Sequence, residues 1–168
     1  MFGLSAAGRD AEFVRFATEW GGSLKRTAYL LTGDRELAAD LTQEALLRTY
    51  LAWSRVRPGE ASAYTRRAVV NLTIDHWRRR TPPTVEVADR TDPRDSHGRV
   101  DDHDQVVRML DSLPPQQRRV IVLRYYNDLS EADTAACLGV GVGTVKSAAS
   151  RGLAALRALY TSTDGRNS

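Results

Sequence analysis

Apolar positions recur at helical spacing along most of the chain. Between Asp10 and Leu31, the residues Phe13, Phe16, Ala17, Trp20, Leu24, Ala28 and Leu31 fall at steps of three and four, which predicts an amphipathic helix after a loose end at 1–9. Gly21-Gly22 interrupts that pattern and predicts a bend or a split. Thr32-Gly33-Asp34 reads as a turn, with Asp34 capping a second helix from Arg35 to Trp53. Leu37, Leu41, Ala45 and Thr49, with Leu46 and Tyr50 beside them, are spaced to face a core. A loop around Pro58-Gly59 leads to a third helix, about Glu60 to Arg80, in which Tyr64, Ala68 and Leu72 are spaced for burial. Pro82-Pro83 stops it.

Helical periodicity returns at Asp104 with Val106, Val107, Leu110 and Leu113. Pro114-Pro115 breaks it, and Pro115 suits an early position of the next helix, Gln116 to Tyr126, whose Val120, Ile121 and Leu123 face inward. Two short helices follow. Ser130 caps the first, with Glu131 and Asp133 in its first turn, where negative charge suits the helix dipole. Ala132, Ala135 and Ala136 are small enough for a close crossing. Leu138-Gly139-Val140 makes a turn, with Gly139 free to be left-handed. The last helix begins near Gly143 or Thr144 and runs through Leu156, presenting Val145, Ala149, Leu153 and Leu156 inward. After Leu159 the chain is expected to fray. No strand pattern of useful length and no repeat is found. The expected fold is all-α: two small helical domains, 1–80 and 104–160, joined by an acidic flexible linker at 81–103 and followed by a tail at 161–168.

Charge sharpens that division. Residues 1–80 carry 13 Lys+Arg against 9 Asp+Glu, residues 81–104 carry three against seven, and residues 105–168 carry eight against five. Two basic blocks flank an acidic connector, as two binding modules and a tether would require. The overall balance, +3 with 42% hydrophobic and 27% charged residues, is that of a soluble globular chain. One cysteine, Cys137, excludes an internal disulfide framework and fits a reducing cytoplasm, where it reads as core filler. The N-terminus has no signal-peptide pattern and no apolar stretch approaches membrane-spanning length, so no membrane insertion is expected. His97, Asp101, Asp102, His103 and Asp104 are too irregularly spaced, without a scaffold, for a metal site. A hydrolase or metalloenzyme built on His76, His97 and His103 would need a phosphate loop, a nucleophile elbow or a paired-histidine helix, and none is present. No enzyme activity, cofactor or metal is expected.

Three groups of residues carry candidate binding chemistry. On the last helix Thr144, Lys146, Ser147, Ser150 and Arg151 face outward, basic or hydroxylated and clustered at the helix start, as in a helix-turn-helix whose second helix enters the major groove. An ordinary helical hairpin is the plainer reading. On the third helix Arg67, Asn71, Asp75 and Arg78 form one stripe, and Asp75 is spaced to hold Arg78 or Arg79. The Arg78-Arg79-Arg80 run partly caps the helix, yet arginine neutralises phosphate and asparagine bonds base edges. Trp53, Tyr64 and Trp77 are candidates to stack on an unpaired base, with core packing as the alternative for each. On the second helix Asp40, Gln43, Glu44 and Leu47 share a face, read either as solvated surface or as a dock for a basic helix with Leu47 at its centre.

With these elements in order, the chain resembles a bacterial RNA polymerase sigma factor of the extracytoplasmic-function type, in the sigma-70 family. AYLLTGDRELAADLTQEALLRTY looks like the core-polymerase-binding region and AYTRRAVVNLTIDHWRRR like the −10 promoter helix. LDSLPPQQRRVIVLRYYNDLSEADTAACLGVGVGTVKSAASRGLAALR looks like the −35-binding domain. The resemblance implies that Asp40, Gln43 and Glu44 face the clamp helices of the polymerase's largest subunit. It implies that Asn71 and the loop at 54–63 engage the non-template strand of the −10 element, with Arg66, Arg67, Arg78 and Arg79 on phosphates. It implies that Thr144, Lys146, Ser147 and Arg151 contact the −35 duplex. An anti-sigma protein is a further partner that the family implies.

Under that resemblance, phosphate contacts supply affinity and register. A pocket for an extruded base offsets part of the melting cost, about a few kcal/mol per base. A tether raises the second module's effective concentration. Promoter binding by the protein alone is expected to be weak. The alternative function is a stand-alone helix-turn-helix regulator, which needs no such surface on the Asp40–Tyr50 stretch. Three departures stand out: Ala148 and Ala149 where a larger or basic side chain is common at the first, Gly141 before the recognition helix where a serine is usual, and Gly21-Gly22. Ala148 is expected to weaken direct −35 readout in favour of shape or backbone contacts.

Overall fold

The computed structural model describes residues 6–80 and 102–164. The expected linker lies outside them except for its last two positions, which open a helix, and so do His97 and Asp101 of the rejected metal reading. Among the described residues there are seven α-helices and no strand. The chain divides between Arg78 and Arg79 into two compact units.

The first unit packs α1 (Ala6–Thr32), α2 (Arg35–Ala52) and α3 (Ala61–Arg80) around Leu24, Ala28, Ala38, Leu41, Ala45, Val69 and Leu72. Helix α1 is continuous through Gly21-Gly22, against the expected break. The helix penalty of two glycines, about 1 kcal/mol each, is outweighed by apolar burial on both sides, from Phe16 to Leu31. The helix also begins at Ala6, four residues earlier than its apolar pattern indicated. Gly33, at φ 71°, ends α1 and its N–H bonds the Tyr29 carbonyl at 2.8 Å. Asp34 then caps α2 as expected, accepting from the Leu37 N–H at 3.0 Å.

The inward face of α3 differs from its apolar spacing. Tyr64 is exposed and Ala68 half-buried, while Ala61, Thr65, Val69, Val70, Leu72 and Thr73 are buried. The seam is threonine-lined. Thr49 and Thr65 are fully buried and their hydroxyls meet across α2 and α3 at 2.8 Å. Each also reaches its own helix, at the Ala45 and Ala61 carbonyls (2.8 and 2.7 Å), so two protons serve three contacts. A threonine satisfied by the preceding turn can enter a core without a lost hydrogen bond, and periodicity counted on apolar residues alone misses it.

The second unit contains α4 (Asp102–Asp111), α5 (Pro115–Ile121), α6 (Glu131–Leu138) and α7 (Val142–Asp164). Pro115 occupies the first turn of α5, as expected. That helix does not run evenly to Tyr126: Val122–Tyr126 widens into a π-helical turn, in which the Asn127 N–H bonds the Val122 carbonyl at 3.1 Å. The Leu129 N–H reaches the Leu123 carbonyl at 3.0 Å, and Asp128 takes a positive φ of 53°. The Arg124 guanidinium donates to the Leu129 carbonyl, which closes the loop into α6.

Ser130 caps α6, accepting from the Asp133 N–H at 3.0 Å, and Gly139 ends it in the left-handed region at φ 66°. Of the three small residues expected at the crossing only Ala135 is buried, whereas Ala132 and Ala136 are exposed. A close approach falls between α5 and α7 at Gly152, where a Cβ would stand 2.9 Å from Ile121 Cγ1. Helix α7 starts at Val142, slightly early, and continues through Asp164 rather than fraying after Leu159.

Thr134 is fully buried on α6 and its hydroxyl makes no hydrogen bond, unlike those of Thr27, Thr42, Thr49 and Thr65. An orphaned buried hydroxyl is destabilising, and valine matches its shape. Thr134→Val is expected to stabilise the second unit by about 1 kcal/mol, read as slower amide exchange in α6 and α7. A loss of stability would show that the hydroxyl is satisfied.

Candidate DNA- and polymerase-binding surfaces

The outer face of α2 follows from its inner one. Ala38, Leu41, Ala45 and Thr49 are buried, which turns Asp40, Gln43, Glu44 and Leu47 outward, and all four are exposed. Leu47 is 56% exposed. One turn on, Leu51 is 69% exposed, an apolar member of this face that the sequence reading missed although it lies four residues beyond Leu47. Two exposed leucines one turn apart, bordered by carboxylates, make a surface suited to a helix with basic and apolar side chains. Glu44 pairs with Arg48 at 2.5 Å, and both are about half exposed, so the contact is of the weak, solvent-screened kind.

On α3, Arg67, Asn71, Arg78 and Arg79 are exposed and Arg66 is half-buried. Asp75 lies 4.0 Å from Arg78, with side chains 45% and 77% exposed, so it only loosely restrains that arginine. The three aromatic candidates separate. Tyr64 is exposed. Trp77 is half-buried, with its ring edge-on to His76 at 5.9 Å between centroids. Trp53 is held among aromatic rings, 5.2 Å from both Phe13 and Phe16, which makes it the weakest of the three as a platform for a base. Tyr50 joins this group, 5.1 Å from Phe13, and donates its hydroxyl to Asp10 at 2.8 Å. That hydrogen bond, with the charge of Asp10, raises the Tyr50 pKa above its ordinary value.

On α7, Val145, Ala148, Ala149 and Gly152 are buried and Thr144, Lys146, Ser147, Ser150 and Arg151 exposed. Ala148 is 6% exposed and packs with Val120, Ala135 and Val145. This corrects the expectation that Ala148 removes a side chain from the DNA-facing surface: the position faces α5 and α6, where a small residue lets the helices approach. Gly141 offers no side-chain cap, but its carbonyl accepts from the Val145 N–H at 3.2 Å, so the helix still starts there. Two of the outward side chains are engaged. The Ser147 hydroxyl donates to the Gly143 carbonyl at 3.0 Å, and Lys146 Nζ lies 3.8 Å from Glu131 Oε2 on α6.

No group of three or more His, Cys, Asp or Glu side chains is placed to hold a metal among the described residues, and no helix there is long and apolar enough to cross a membrane.

Comparison with known proteins agrees with this layout. Residues 16–82 match the family model of sigma-70 region 2, and residues 103–156 that of sigma-70 region 4. The chain is 37% identical over 165 residues to an RNA polymerase sigma-E factor of Streptomyces avermitilis, covering 95% of this chain and 90% of that one. It is 30% identical over 167 residues to the ECF RNA polymerase sigma factor SigW of Bacillus subtilis, covering 89% of each. Its fold is similar to that of the sigma factor RpoE of Bartonella quintana, solved in complex with the anti-sigma factor NepR. The TM-score is 0.72 at 24% identity, over 89% of this chain and 97% of that one. With both sigma-70 regions in order and curated relatives matched over nearly their whole length, the chain belongs to the extracytoplasmic-function sigma factors of the sigma-70 family.

Proposed function

We propose that this protein binds core RNA polymerase through the Asp40–Leu51 face of α2 and directs it to promoters. In this reading α3 captures the non-template strand of the −10 element, with Asn71 on a base, Tyr64 or Trp77 as a stacking platform, and Arg66, Arg67, Arg78 and Arg79 on phosphates. Thr144, Lys146, Ser147 and Arg151 hold the −35 duplex. The unit boundaries at 80 and 104, the linker between them, work in the cytoplasm, an anti-sigma partner and the lack of any catalytic step belong to the same reading. Transcription initiation from promoters is the activity of the family to which the chain belongs.

One observation carries the assignment of surfaces: apart from the half-buried Arg66 and Trp77, the candidate side chains lie on the outward side of helices whose opposite side is buried, so they are presented without rearrangement of the core. Phosphate-directed arginines add affinity that does not depend on sequence, whereas base capture and groove contacts select the promoter. Base capture requires melted DNA, and the melting cost falls on the assembled polymerase.

The test combines retention of core polymerase by the purified protein with run-off transcription from a promoter library. Stable association with sequence-selective initiation is expected, together with weak promoter binding by the protein alone. Salt-sensitive duplex binding without polymerase association would replace this reading with that of a stand-alone regulator.

A further inference from the structure

Lys146 is exposed on the recognition helix, yet its ammonium lies 3.8 Å from the Glu131 carboxylate, in the first turn of the neighbouring helix α6. The two side chains are 63% and 40% exposed, so the pair lies open at the surface. Nothing else about Glu131 requires that contact. The cap of α6 is made by Ser130 with the Asp133 N–H and carboxylate, at 3.0 and 2.7 Å. A negative charge at the first position of the helix is favourable to its dipole whether or not Lys146 is near.

We propose that Glu131 is an affinity-setting residue of the DNA surface, a carboxylate that occupies Lys146 in the free protein and competes with the DNA phosphate for it. This rests on the reading of α7 as a duplex-binding helix. The competition has two parts. Contact with phosphate requires Lys146 to give up its pair, and it brings the phosphate towards a carboxylate of like charge. Both act on the sugar-phosphate backbone, which has the same chemistry in every sequence. Glu131 therefore lowers affinity for all duplexes alike and leaves base selection unchanged. The free protein binds DNA more weakly as a result, and the second attachment supplied by the tethered polymerase offsets that loss.

The measurement is fluorescence anisotropy of the full chain with labelled duplexes, one promoter-derived and one of scrambled sequence, across a salt series from low ionic strength. Glu131→Gln is expected to tighten binding to both duplexes by about three- to tenfold, in keeping with the small energies of exposed ion pairs. Glu131→Asp keeps the charge but is one methylene short of the pair, so it should give a smaller gain. In a Lys146→Met background Glu131→Gln should give a clearly smaller gain, because the residue it competes for is gone and only the repulsion of nearby phosphate remains. An undiminished gain in that background would overturn the proposal, since it would reflect net charge alone. No gain from Glu131→Gln while Lys146→Met weakens binding would also overturn it and leave the duplex-binding reading intact. If Lys146→Met leaves duplex affinity unchanged, the underlying reading of α7 fails, and the proposal with it.

Discussion

Asp40→Lys combined with Glu44→Lys is expected to lower affinity for core polymerase by about a hundredfold, because each substitution converts an attraction to a basic partner into a repulsion. Folding stability should change by no more than about 0.5 kcal/mol. Both side chains are exposed on the face of α2 opposite Ala38, Leu41 and Ala45. Glu44 meets Arg48 in a half-exposed contact that contributes little to stability. The variant should therefore unfold like the parent while failing to retain polymerase. Leu47→Ala and Leu51→Ala probe the apolar part of the same face. If Leu51 belongs to the dock, its truncation weakens association with little change in salt dependence, whereas charge reversal alters both. Undiminished polymerase binding by the doubly reversed variant would return this face to solvated surface. Polymerase would then have to be held through another surface of the chain.

The second large effect concerns the joint between α4 and α5. Arg118 donates to Asp111 across the Ser112–Pro114 turn, and the arginine side chain is only 9% exposed while Asp111 is 45% exposed. Burial pushes the Arg118 pKa down from its ordinary value, and the charge and hydrogen bond of Asp111 oppose that shift. Removing the carboxylate takes an ion-pair partner from a buried cation, whereas removing the cation leaves only a carboxylate that water already reaches. Asp111→Ala is expected to destabilise the second unit by about 2–3 kcal/mol, at the low end for a buried pair because Asp111 is partly solvated. Arg118→Met keeps the aliphatic stem in place and should cost about 1 kcal/mol or less. All three tryptophans, Trp20, Trp53 and Trp77, lie in the first unit, so their fluorescence reports the other half of the chain. Amide exchange in α5 and α7 reads the second unit directly. A larger loss from Arg118→Met than from Asp111→Ala would mean that the arginine stabilises through packing and other contacts rather than through this pair.

The caps were legible because they depend on local chemistry. Asp34, Ser130 and Gly139 terminate helices where residue type alone placed them, and Pro115 opens α5. The outward residues of α2 and α7 were legible for a similar reason, since a periodicity of 3.6 assigns both faces of a helix at once. What escaped had partners distant in sequence. The inward face of α3 shifted from Tyr64 to Thr65 because Thr49, sixteen residues earlier, offers a hydroxyl to meet it. Ala148 looked like a lost DNA contact until packing against Val120 and Ala135 showed which way it faces. Trp53 was equally suited to a base or to a core until Phe13 and Phe16 closed around it.

By itself the sequence determined that this protein is helical, where most of its helices begin and end, how its charge divides, and which family it resembles. Those properties follow from backbone geometry, capping chemistry and composition, all of which act over a few residues. Only the tertiary structure decided which of several competent side chains stay exposed, that threonines complete the core of the first unit, and that Glu131 meets Lys146. Such choices depend on contacts between helices, where burial and desolvation are settled by whatever the fold brings alongside.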